Sequence, residues 1–384
     1  MSTPTTPSAL IPEPSKKIFY IDHLKVILTV LVILHHCFVT YGAPGGWYFF
    51  QKTTLEGAKI PMTLFVAVNQ SFFMGFFFFL SAYFIGPSFE KRGAARFVTD
   101  RLLRLGIPLL FYTLILGPAM NYLVYYFGHG HHITLAQFLG GYDDWIDFGV
   151  LWFVAALLLF TLLYALVRVI VKRLPQKALP APNALTIVLF AAGVGIVSFL
   201  VRLVFPVGWV LHPVGFQLGH FSQYIALFIL GLIASKNNWL NTMDNKTGKR
   251  LGAFACWLLL FFPVFFIIEK LTHMDGSWWG GGLHFQALLY AVWEQVIGFS
   301  IIAGLLSRGR KLYNDPSSRV IKLSRYTFAV YIFHPLVIIS LSLLVRNINI
   351  EPALKLLFVA PLAVIGSFLL ARIILLIPGV NRII

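Results

Sequence analysis

The sequence predicts an all-α fold, a polytopic membrane bundle of about ten transmembrane helices, and three observations predict it. The chain of 384 residues is 58% hydrophobic and only 11% charged, with a mean hydropathy of +0.81, well outside soluble composition. Apolar runs of about 20 residues, the length that crosses a bilayer core, recur near 21–41, 62–86, 102–126, 149–171, 184–204, 216–235, 251–268, 284–306, 320–345 and 353–377. The basic residues alternate between successive loops. Lys16, Lys17, Lys91, Arg92, Arg96, Arg101, Arg104, Lys172, Arg173, Lys177, Lys246, Lys249, Arg250, Arg308, Arg310 and Lys311 fall with others on one side. The opposite loops hold only Lys52, Lys59, Arg202, Lys270, Arg346 and Lys355.

Cytoplasmic loops are enriched in Lys and Arg, so both termini are expected in the cytoplasm, with 43–60, 127–148, 205–215, 269–283 and 346–352 outside. The net charge of +16 is thus a topology signal. It does not cluster on a soluble segment, and no nucleic-acid partner is expected. Residues 1–18, rich in Ser, Thr and Pro, lack an apolar stretch and a small-residue cleavage site. They read as a flexible cytoplasmic tail without a signal peptide, leaving 19–384 as one membrane domain. Cys37 and Cys256 lie in apolar spans and read as packing residues. No internal repeat is visible.

Ionisable residues inside spans are costly and face a bundle interior or a wet cavity. The first span carries Lys25 and the pair His35-His36. Eleven steps of about 100° bring Lys25 and His36 within about 20° of one stripe, about 16 Å apart along the axis. A cation near the cytoplasmic end and an imidazole toward the outer half suit a long donor with an anionic head. A histidine there is open to two readings, a general base for a hydroxyl or a hydrogen-bonded packing residue. At the mouth of the third span, Arg101 and Arg104 are three apart and project from one face. They read either as a fork for phosphate or as positive-inside anchors.

The second outside loop combines aromatics with acids in Tyr142-Asp143-Asp144-Trp145 and Asp147. The first holds Trp47 to Phe50, and a later one Asp275, Trp278 and Trp279. These rings read as an interfacial belt or, beside carboxylates, as a saccharide platform. His129, His131 and His132 stand near these acids but lack zinc-site spacing, so no metal is expected. Glu294 in the eighth span and His334 in the ninth are the remaining intramembrane candidates. Glu294 either holds a histidine tautomer or contacts substrate, or only fixes helix packing. No Gly-rich phosphate loop, Gly-x-Ser-x-Gly elbow or Cys/His ligand pair occurs, which excludes the usual soluble-enzyme chemistries.

Taken together, these residues resemble the acyltransferase 3 family of integral-membrane O-acyltransferases, which have ten related helices and modify extracytoplasmic glycans. Phe19-Tyr20-Ile21-Asp22-His23-Leu24-Lys25 through His36 is similar to the family's first-helix pattern of an Arg and a His separated by ten intervening residues. Here the cation is Lys25, a point charge without the guanidinium fork. Arg101-Leu-Leu-Arg104 matches the family's Arg-x-x-Arg motif, Gly149-Val-Leu-Trp152-Phe153 its Leu-Trp-Phe element, and Ser324-Arg-Tyr326 through Tyr331 to His334 its late Ser-Tyr…Tyr…His segment.

The resemblance implies that His36 is the catalytic histidine; Glu294, from its place inside the eighth span, is a further catalytic candidate. It implies acyl-CoA as co-substrate, acetyl-CoA by default and a succinyl donor as the other candidate, held by Lys25, Arg101 and Arg104. His35, Trp152, His334, Asp143 and Asp144 are expected to bind the acceptor, a glycan or glycolipid at the outer face of a bacterial inner membrane. The rival reading is a proton-coupled transporter or lipid-linked sugar flippase using Glu294 and the intramembrane histidines.

Overall fold

The structure, a computed structural model, describes residues 18–171, 178–314 and 317–384. Ten long apolar helices organise it: α1 (Phe19–Tyr41), α2 (Glu56–Arg92), α3 (Ala94–Gly128), α4 (Gly149–Ile170), α5 (Ala184–Arg202), α6 (Leu218–Lys236), α7 (Asn245–Thr272), α8 (Phe285–Leu312), α9 (Ser318–Leu344) and α10 (Pro352–Ile374). No β-strand occurs among the described residues; one isolated bridge joins Leu211 and Phe216. Every apolar run of the sequence falls on one of these helices. The chain is a multi-pass membrane protein. Residues 1–17, with Lys16 and Lys17, and Lys172, Arg173 and Lys177 lie outside the described residues.

A helix satisfies its own backbone groups, the requirement lipid imposes on any crossing segment. Its side chains then sort by neighbour. Leu163, Leu166 and Ile170 on α4, Leu185, Leu189 and Leu200 on α5, and Leu362, Ile365 and Leu369 on α10 are exposed, which gives a lipid-facing surface. The polar residues sit on inner helices: His35 on α1, Asn69 on α2, Glu294 and Gln295 on α8 and His334 on α9 are all buried. α1 packs against α9 and α10, the second half of α2 against α6, and α8 between α5 and α7.

Two helices depart from regular α geometry. α2 breaks at Ser71–Phe72, where the Ser71 carbonyl accepts from Gln223 Nε2 at 2.6 Å, and Gln223 also donates to Gln295 Oε1 at 2.8 Å. Gly298 lies directly against that carbonyl, with no room for a Cβ. α3 contains three π-helical turns, Leu102–Gly106, Tyr112–Leu116 and Val124–Gly128. Pro108 and Pro118 follow the first two; each lacks an N–H and crowds the carbonyl four residues back, and a widened turn relieves this. Arg104 therefore sits in a π turn, while Arg101 ends the preceding α segment.

Two cations counted from sequence as outer-loop charges are interior residues. Arg202 is fully buried in an ion pair with Glu294. Lys355 is also buried and donates to Gln51 Oε1 at 3.3 Å and the Arg346 carbonyl at 3.2 Å. This second clamp has a positional consequence. Gln51 donates from its side chain to Arg346 at 2.9 Å and from its backbone to Thr40 at 2.9 Å, and the Thr53 hydroxyl donates to Glu351. The 42–55 loop is thereby folded back over the end of α1.

Candidate active site

A cavity of about 1030 Å³ opens among the loops at the α1 C-terminal end and reaches into the bundle. At its inner part stand His35 and His36 of α1, Trp152 of α4, His220 and Tyr224 of α6 and Tyr331 of α9. Asp144, Asp147, Glu269 and Trp279 line its outer part. The lining holds these three carboxylates and no Lys or Arg among the described residues. His36 lies five residues from the end of α1, so about 8 Å inside the helix end.

The protonation form of His36 follows from a chain of partners that begins at a proline. Pro335 has no N–H, which leaves the Tyr331 carbonyl without its helical donor. The His334 ring fills that place: its Nδ1 lies 2.8 Å from the Tyr331 oxygen. A carbonyl only accepts, so Nδ1 carries the hydrogen and Nε2 the lone pair. Nε2 lies 2.9 Å from His36 Nδ1, which must then donate. The His36 hydrogen is thus on Nδ1, and its Nε2 is a free acceptor on a ring that lines the cavity. Such a partner behind a working imidazole fixes both tautomer and orientation.

Packing holds the arrangement. Trp47, carried by the folded-back loop, stacks on His36 with centroids 4.1 Å apart and planes 16° apart. The next residue, Tyr48, bonds to the Tyr112 hydroxyl at 2.7 Å, and burial pushes its phenol well above the usual range, so it stays a neutral hydroxyl. Gly149 permits this closeness: its φ is +46°, and a Cβ there would meet the Tyr112 ring at 2.9 Å. Asp147 Oδ1 accepts from the Gly149 N–H at 2.8 Å, which shapes the turn into α4.

A second buried group backs His220. Arg202 pairs with Glu294, donates from Nε to the Gly219 carbonyl at 3.0 Å and lies 3.3 Å from His220 Nδ1. Glu294 also accepts from Gln295 at 3.2 Å and approaches His220 Nδ1 at 3.5 Å. Glu294 does not line the cavity; His220 does.

At the opposite end of the bundle, Lys25 lies 3.8 Å from Asp22 and over the Phe84 ring at 5.7 Å. Arg101 is half-buried with its guanidinium 5.0 Å from the Phe97 ring, and Arg104 is exposed. Neither arginine pairs with a carboxylate among the described residues, whereas neighbouring Arg92 and Arg168 are taken by Asp100 and Glu90.

Of the residues expected from sequence, the cavity wall brings together His35, His36, Trp152 and Asp144. His334 stands behind His36, Glu294 behind His220, and Asp143 is exposed outside the lining. Lys25, Arg101 and Arg104 belong to the far end. Sequence reasoning missed His220, Arg202, Asn69 and the role of Pro335. The dipeptide His334-Pro335 was the signal available for the last, because a proline four residues after Tyr331 orphans a known carbonyl.

Ten apolar helices thus surround a cavity of mixed lining that holds a tautomer-locked histidine at its inner end. Residues 18–372 match the acyltransferase 3 family, described as an acyltransferase domain. The chain belongs to that family and is a membrane acyltransferase that takes an acyl donor and an acceptor as substrates. A search of curated proteins and a search of solved structures each returned no match. Of the groups on which the rival transport reading rests, Glu294 is locked to Arg202 behind the cavity wall, while His35 and His36 line the cavity.

Proposed function

We propose that this protein transfers an acyl group, acetyl in the first instance and succinyl as the alternative, from cytoplasmic acyl-CoA to a hydroxyl of an extracytoplasmic glycan or glycolipid. His36 is the general base, both termini are cytoplasmic, and the membrane is a bacterial inner membrane. The observation that carries this reading is the hydrogen-bond chain from Tyr331 through His334 to His36, because it leaves a lone pair on His36 Nε2.

Arg101 and Arg104 receive the phosphates of the donor as forked cations, with Lys25 on the His36 stripe as a further positive point. The acyl end then runs about 16 Å along α1 to His36. The acceptor enters the cavity from the loop end. Carboxylates of Asp144, Asp147 and Glu269 accept sugar hydroxyls, and Trp152 and Trp279 offer ring faces. In this arrangement His334 is a positioning residue, and Glu294 acts through His220 and not on substrate. His36 takes the proton of the attacking hydroxyl as the ester forms and returns it to the departing thiolate.

Mass spectrometry of surface glycans from a deletion strain tests the reading in the cell. Loss of ester-linked acyl groups is expected, and restoration by wild type but not by His36→Ala. Glycans unchanged by the deletion would overturn the acceptor assignment.

A further inference from the structure

The two adjacent histidines of α1 carry their hydrogens on opposite nitrogens. Asn69 Nδ2 donates to the Leu31 carbonyl at 3.2 Å, which fixes the amide orientation, because the amide oxygen cannot face a carbonyl. The same Nδ2 lies 3.3 Å from His35 Nδ1. An amide nitrogen only donates, so His35 Nδ1 is an acceptor and the hydrogen of the neutral ring is on Nε2. The ring is pinned by its stack on Phe73, with centroids 5.1 Å apart, and it lines the same cavity as His36. The two imidazoles stand edge to face, 5.6 Å between centroids and 87° between planes. One offers a lone pair, the other an N–H.

We propose that His35 Nε2–H stabilises the oxyanion of the transfer reaction opposite the base His36, an assignment that rests on the reading of His36 as base. The acceptor O–H proton passes to His36 Nε2 as the O–C bond forms. The carbonyl π pair of the thioester moves onto oxygen, where His35 Nε2–H meets it. That pair returns as the C–S bond breaks, and the thiolate sulfur takes the proton from His36. A reacting carbon about 3 Å from both nucleophile and oxyanion donor is the geometry such chemistry requires, and two rings facing one cavity from adjacent positions supply the base that activates the nucleophile and the donor that meets the oxyanion. Asn69 is the positioning residue that sets the His35 tautomer.

The test uses the full chain in nanodiscs with acetyl-CoA, or succinyl-CoA where acetyl-CoA gives no turnover, and envelope glycan as acceptor. His35→Phe keeps the stack on Phe73 and removes the donor. Its kcat is expected to fall about 10²- to 10³-fold, the usual loss for one oxyanion donor, with both KM values within about threefold. His35→Gln, which carries an N–H near the same place, is expected to recover at least about tenfold of that loss. A folded His35→Phe with kcat within about threefold of wild type overturns the proposal and leaves His36 as base; full activity in His36→Ala overturns the base reading itself. If His35→Phe does not fold, ¹⁵N-histidine solid-state NMR of the wild type decides. One ring protonated on Nδ1 and its neighbour on Nε2 supports the proposal, and both rings on Nδ1 overturns it.

Discussion

His36 Nδ1 and His334 Nε2 face each other at 2.9 Å across helices α1 and α9, from positions 298 residues apart in the chain. The pair turns a proline near the middle of α9 into a statement about chemistry on α1, since Pro335 frees the carbonyl that sets the His334 tautomer. Two measurements test this pair, and two more test charged groups away from it.

His334→Ala leaves His36 Nδ1 without its acceptor and the ring free to change tautomer. A fall in kcat of about 10²-fold is expected, within the range for losing general-base catalysis, with donor KM little changed. His334→Gln, which can still accept through its amide oxygen, is expected to retain more. Steady-state kinetics of the two variants would show equal losses if His334 contacted the acceptor instead.

Pro335→Ala restores a backbone N–H that competes with His334 for the Tyr331 carbonyl. Helix stability should rise or stay level, since a proline inside a helix costs about 3 kcal/mol, while kcat falls several-fold. Thermal unfolding in detergent measured beside turnover separates the two effects. A variant that loses both stability and activity would point to a packing role for the proline.

Arg101→Ala with Arg104→Ala removes two guanidiniums that pair with no carboxylate among the described residues. Acyl-CoA KM is expected to rise about 10- to 100-fold, in keeping with loss of two charge-assisted contacts, with kcat largely kept. The wild-type KM should also climb with salt. Unchanged donor KM would remove the phosphate assignment and leave anchoring.

Glu294→Leu strands the Arg202 charge in the bundle. A loss of about 3–5 kcal/mol is expected, the usual cost of breaking a buried pair, and Arg202→Met combined with Glu294→Leu should recover much of it. Because Glu294 lies behind His220 and off the cavity wall, the double variant should keep measurable turnover. A stable double variant with no turnover would instead make Glu294 a catalytic group.

The spans were legible because apolar length is a one-dimensional signal, and so was the stripe of Lys25 and His36, which needs only helix periodicity. What joins α1 to α9 was not. His334 and Pro335 were visible as residues, but that the His334 ring meets His36 and does not line the cavity depends on helix packing that no local pattern encodes. Arg202 read as a loop cation because it closes an apolar run; only the approach of α8, which brings Glu294, makes it an interior charge. The π turns of α3 likewise changed how Arg101 and Arg104 project, where the sequence assumed regular α spacing.

The most direct measurement is thiol release from acyl-CoA by purified wild type and His36→Ala, each with and without envelope glycan, after both are shown to be folded. Release that needs acceptor and falls by at least about 10³-fold in His36→Ala is expected, the scale of loss for a general base. Acceptor-dependent release that survives in a folded His36→Ala would contradict the assignment of His36 as the base.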